Sequence, residues 1–254
     1  MALRCGNPQQ GPWKGRALAS RNASFHERGI TGALFAPLKL FFGTLLLLLG
    51  LILAAWIIDW IFVFQVWPDG VARLQHILAE DLARAAQIGH SAGETPHVAE
   101  RTANFLYALL FEATGIHGMG VRFAEASALS IPDTIVRSTY VGNFDVIQVA
   151  MIGTQIFGVR LAMLTMATPL LALVYCVAVT DGLVQRAVRR VSGGRESASL
   201  YHRAKHLQVA LLVTGAAVAL LVPASIDPRF IWVPGALVVA ILARLQWAYY
   251  KKHL

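Results

Sequence analysis

Apolar positions run without a charge from Leu40 to Ile58, nineteen residues closed by Asp59. At 1.5 Å per residue such a helix reaches about 28 Å, close to the hydrocarbon thickness of a bilayer. The pattern predicts a first membrane span over 38–64. A cleaved signal peptide keeps its apolar core near the N-terminus and to about 7–15 residues, so this longer, later run reads as an uncleaved anchor. A second run, Leu161 to Val179, lies between Arg160 and Asp181 and predicts a span over 153–180. Leu207 to Val222, stopped by Pro223, predicts a third over 207–223, and the run from Ile231 to Tyr250 a fourth over 230–250. Residues 224–229 leave only a tight turn, so the last two spans form a helical hairpin.

The segment 65–152 is patterned differently. Val71, Leu74, Leu78, Leu82 and Ala85 recur at three and four residues among Arg73, Glu80, Asp81 and Arg84, as on an amphipathic helix. Residues 90–97 read as a connector, and 98–114 as a second helix with Phe105, Leu106 and Leu109 on one side. Gly115 to Gly120 is expected to break it. Ser130, Pro132 and Asp133 mark a third helix start, with an N-cap, an early proline and an acid three residues on. From there the helix is expected to run unbroken into the second span. The fold class is therefore all-α: a polytopic membrane protein with four spans and a small helical extracytoplasmic insertion between the first two.

Composition agrees. Of 254 residues 56% are hydrophobic and 14% charged, with a mean hydropathy of +0.57, whereas an ordinary soluble domain carries about 25% charged residues. This excludes a disordered chain and does not fit a soluble cytosolic enzyme. The net charge is +8, and its distribution carries topology. Residues 1–40 hold six Lys/Arg against one acid, 181–206 six against two, and 65–159 five against nine. Positive-inside bias places the tail 1–37, the loop 181–206 and the tail 251–254 in the cytoplasm, and 65–152 and 224–229 in the periplasm. Both termini face the cell interior. The basic balance is thus mainly a topology signal with attraction to anionic lipids beside it, and direct nucleic-acid contact is not expected.

Candidate chemistry is sparse. Cys5 sits on the tail and Cys176 inside an apolar run, so neither forms a disulfide framework or a Cys/His pair. Gly115 to Gly120 and Gly193-Gly194 lack the Lys-Ser/Thr of a phosphate-binding loop, and no GxSxG elbow occurs. His76 and Glu80 have i,i+4 spacing but no HExxH context, and read as a solvated face. No catalytic residue, cofactor site or metal site is assigned. Asp59 and Arg160 bound the first two apolar cores at similar depth and are expected to form an interhelical ion pair, with separate snorkelling into the headgroups as the plain alternative. Trp56, Trp60 and Trp67 read as interfacial anchors. Gly215 with Ala219, and Ala236 with Ala240, offer small-residue contacts within the hairpin, and self-association stays open. The richest polar patch is the loop carrying Arg186, Arg189, Arg190, Arg195, Glu196, Tyr201, His202 and Lys205, read as a partner-docking surface.

The order Phe157-Gly158-Val159-Arg160-Leu161-Ala162, Asp181-Gly182-Leu183-Val184 with Arg186, Arg189-Arg190, Gly193-Gly194-Arg195-Glu196-Ser197, Tyr201-His202 with Lys205, and Lys251-Lys252 with Leu254 resembles the bacterial integrating conjugative element membrane protein family. Residues 1–25 and much of 85–130 match nothing in it. The resemblance implies a non-enzymatic inner-membrane accessory subunit of a conjugative, type IV secretion-like DNA transfer apparatus, supporting a coupling ATPase or contacting another secretion-system membrane subunit. A small membrane channel or transporter component is the competing class; it needs polar groups inside the spans, where Thr44, Thr165, Thr168 and Thr214 are the main candidates.

Overall fold

The computed structural model describes residues 13–91, 97–125, 131–193 and 198–250. Among the described residues every regular element is helical. Four helices are long and apolar enough to cross a membrane: Pro37–Val66, Phe144–Val191, Ser199–Leu221 and Pro228–Ala248. The chain divides into two units, Met1–Gly50 and Leu51–Leu254, whose boundary falls inside helix α1 (Trp13–Ile61). Residues 13–36, expected as part of the basic tail, are helical backbone continuous with the first apolar run. In the first unit Leu40, Phe41, Leu46 and Leu47, on a helix long and apolar enough to cross a membrane, are all exposed.

The second unit begins in the last turns of α1. The helix loosens into a π-turn, Phe62–Val66, and the chain reverses through Gly70, whose φ of +52° suits glycine. Helix α2 (Val71–Ser91) follows, then α3 (Val98–Tyr107) with a second π-turn at Ala108–Glu112. Only Gly115, at φ +80°, interrupts the chain there. The remaining glycines of that stretch lie inside α4 (Ile116–Glu125), so the expected broad break is a single-residue corner. The start signal at Ser130 lies outside the described residues, and α5 occupies Ile131–Gly142. Helix α5 does not continue into the second span: Asn143 leaves helical geometry at φ −113°, ψ 16°, and a new helix starts at Phe144. The segment thus holds four helices rather than about three.

Helix α6 (Phe144–Val191) organises this unit. Its 48 residues give about 72 Å at 1.5 Å per residue, more than twice the hydrocarbon thickness. Its first half is a rail for α2 and α3. Val149, Ile152 and Ile156 pack against Val63, Leu74 and Ile77; further along, Val159, Ala162 and Met163 pack against Ala85, Ala99 and Ala103. Gly158 permits the closest approach, since a Cβ there would lie 2.6 Å from the Ala103 Cα. The predicted span 153–180 therefore starts in a stretch sheathed by protein. A helix covered by other helices is as apolar as one in lipid, so the two read alike in sequence.

Helices α7 (Ala198–Leu221) and α8 (Pro228–Ala248) form the expected hairpin. Asp227 caps α8 by accepting from the Arg229 N–H at 2.9 Å, with Pro228 in the first turn, where its missing donor costs nothing. The small-residue contact sits elsewhere than expected. A Cβ on Gly215 would meet open space, whereas one on Gly182 of α6 would lie 2.7 Å from the Arg244 carbonyl oxygen and 2.9 Å from the Trp247 Cβ of α8.

Candidate functional site

Two polar constellations stand out, both in the second unit. The first is buried and centres on Arg160, 6% exposed. Its Nε donates to Asp81 Oδ2 at 2.8 Å, its Nη1 donates to the Val222 carbonyl, and its Nη2 donates to the Ala224 carbonyl at 2.9 Å. Ser225 completes the cluster by donating to Asp81 Oδ1 at 2.7 Å. One guanidinium thus joins α2, α6 and the turn between α7 and α8. The two carbonyls belong to the turn just past α7, where each also accepts a backbone N–H two residues on, from Ala224 at 2.8 Å and from Ile226 at 3.0 Å. The chemistry available here is tethering: the charged donors are spent on a carboxylate and on carbonyls.

Asp59, expected as the ion-pair partner of Arg160, is not among these hydrogen-bond partners. Asp59 is 5% exposed and lies against Gly153, where a Cβ would come within 2.6 Å of its Oδ2. Beside it Trp56 donates from Nε1 to Thr154 Oγ1 at 3.0 Å, which makes that tryptophan a peg between α1 and α6 rather than a simple anchor. Trp60 remains exposed, and Trp67 packs on the α2 core. Sequence reasoning missed Asp81, yet the signal was present: Leu74, Ile77, Asp81 and Ala85 recur at three and four residues, so Asp81 sits on the buried stripe of α2.

The second constellation lies where α6 ends and α7 begins, beside the end of α8. Arg189 places its guanidinium 3.9 Å from the centroid of Tyr249, and Arg186 lies 5.1 Å from that of Tyr250. Tyr250 meets Tyr201 at 5.6 Å and Trp247 at 5.7 Å, and Tyr201 meets His202 at 5.2 Å. Half-exposed Asp181 pairs with Arg244 at 2.5 Å, so its charge is already matched. Of the eight docking residues predicted, the structure gathers Arg186, Arg189, Tyr201 and His202 around the α8 aromatics. Lys205 and Arg190 are exposed nearby in sequence, and Arg195 and Glu196 lie outside the described residues. The tyrosines at 249 and 250 were read only as the end of a span.

Outside these clusters, Tyr107 shares a 2.7 Å hydrogen bond with His117 Nδ1. Burial, then the nearby Glu112 and Tyr140, push its phenol above the ordinary range. His76 lies 3.5 Å from Glu80, both exposed, and among the described residues no third metal ligand joins them. The span hydroxyls of Thr44, Thr165 and Thr168 donate to carbonyls three or four residues back in their own helices.

A family model described as IncC plasmid conjugative DNA transfer protein DtrJ-like matches residues 66–251, from the end of the first apolar helix to the end of α8. No curated protein and no solved structure matches the chain.

Proposed function

The chain belongs to the DtrJ-like family of conjugative DNA transfer proteins, and from that premise we propose that it is a non-enzymatic, multi-pass accessory subunit of the bacterial inner membrane that supports the coupling ATPase of a type IV secretion-like apparatus. The observation that carries this reading is the combination of four apolar helices with a buried polar cluster, that of Arg160, spent on internal ties. Such a chain needs energy and chemistry from a partner. The orientation we propose has both termini and the 181–206 loop in the cytoplasm, with α2 to α5 in the periplasm, because basic residues concentrate in the tail and in that loop.

In this arrangement the docking surface for the ATPase, or for another membrane subunit, is the loop with its flanking helix ends. Its exposed members are Arg190, His202, Arg203 and Lys205, with Arg195 and Glu196 between them in sequence. Crosslinking in living donor cells from positions 190 and 205, followed by identification of the captured chain, tests the assignment. Capture of the coupling ATPase, lost on charge reversal of Arg190 and Lys205, is expected. Undiminished capture after reversal rejects this surface. The channel reading is weaker, because three of the four candidate span hydroxyls, those of Thr44, Thr165 and Thr168, are bonded to their own backbones; ion or solute flux through the reconstituted protein alone would restore it.

A further inference from the structure

We propose that the end of the α6–α7–α8 bundle holds the phosphodiester of an anionic phospholipid on the edge of Arg186. This goes beyond the accessory role and does not depend on it. The Nε and Nη2 of Arg186 are both buried, and no hydrogen-bond acceptor reaches either one. These two atoms form one edge of the guanidinium, the fork that grips a phosphate or carboxylate through two parallel hydrogen bonds. The Tyr250 ring lies against the guanidinium carbon, an arrangement that stabilises the cation while leaving its in-plane N–H groups to another partner. Leaving a buried charged donor unsatisfied is costly, so the geometry calls for an anion.

Charge and position identify which anion. Residues 181–206 carry six cations, Arg186, Arg189, Arg190, Arg195, Arg203 and Lys205, against two acids in sequence, Asp181 and Glu196, and Asp181 is paired with Arg244. Tyr201, Trp247, Tyr249 and Tyr250 form an aromatic collar, the usual furniture of the headgroup level. One turn back along α6, on the same side as Arg186, Leu183 is exposed. A phospholipid held at the level of the collar brings its phosphodiester to Arg186, and basic pockets between span ends are known to take such headgroups.

The test uses the full chain in nanodiscs containing phosphatidylglycerol and phosphatidylethanolamine, with bound lipid counted by native mass spectrometry after release. Phosphatidylglycerol is expected to remain bound in preference. Arg186→Gln should lower its retention about tenfold, the equivalent of roughly 1.4 kcal/mol. Arg186→Lys, which keeps the charge but loses the fork, should lower it as well, while Arg203→Gln should leave it unchanged. Circular dichroism confirms that each variant keeps its helices; if Arg186→Gln unfolds, Arg186→Lys carries the decision. Equal retention of the two lipids, or retention by Arg186→Lys equal to that of the parent, overturns the proposal. So does displacement of the lipid by inorganic phosphate alone, which would make this a site for free phosphate, and so does loss on Glu196→Gln of the same size as on Arg186→Gln.

Discussion

Arg160 has all three kinds of donor atom engaged, and removing either end of that arrangement leaves a charge behind. Replacing Asp81 by Ala strands the buried guanidinium, a change that costs about 3–5 kcal/mol. Thermal unfolding in detergent, followed by circular dichroism, should show a large drop in midpoint for Asp81→Ala. Ser225→Ala removes one neutral-to-charged hydrogen bond and should cost about 1.5–3 kcal/mol. Asp59→Asn should move the midpoint least of the three, since no ion pair of Asp59 is formed among the described residues; a drop matching that of Asp81→Ala would contradict the pairing described here. The glycines give a second residue-scale contrast. Gly158→Ala and Gly182→Ala drive a methyl into backbone of a neighbouring helix and should each destabilise by about 1–3 kcal/mol. Gly215→Ala meets open space and should be neutral or gain up to about 1 kcal/mol from helix propensity. The same melting curves decide it.

Elements were legible in the sequence where one physical constraint acts alone. The four long apolar runs, the hairpin and the amphipathic period of α2 follow from burial in lipid or against one partner, and the structure has helices at each. Boundaries were less legible where two constraints give the same pattern. Helices α2 and α3 cover residues 153–163, and the helix beyond them is apolar enough to cross a membrane, so no charged residue except Arg160 marks the change. Asp81 was not singled out for a related reason: depth was inferred from where the runs end, while this hydrogen-bond partner of Arg160 sits on a helix whose depth the sequence does not state. Tyr107 offers a check on the α3–α4 corner. Its neutral phenol is favoured in the folded state, so the stability it contributes is full below the ordinary tyrosine range and is lost as pH rises through its raised value. Ultraviolet titration should show a late phenolate component that Tyr107→Phe removes; its persistence would place the shifted tyrosine elsewhere.

The whole molecule in our reading is oriented by its arginines, which can be tested directly. In a chain with Cys5 and Cys176 replaced by serine, Arg101→Cys should react with an impermeant maleimide on intact spheroplasts, and Arg203→Cys only after permeabilisation. The opposite result would invert the arrangement and with it the contact proposed for the ATPase. The basic cluster at the end of α6 was only partly legible in sequence. Counting cations found Arg186 and Arg189, but counting does not reveal that both are laid on tyrosines just past the end of α8, some sixty residues away. That burial divides the basic set into arginines committed to the bundle and side chains left facing outward.

The grip of Arg160 on the Val222 and Ala224 carbonyls also dictates an order of assembly. During synthesis α2 and α6 emerge first, and their arginine has to wait for the last hairpin before its remaining donors find acceptors. A nascent chain halted before that turn has its arginine matched by Asp81 alone, with the Nη1 and Nη2 donors left without their carbonyls. Closure of the last hairpin is therefore the step that completes the core built by the two earlier helices.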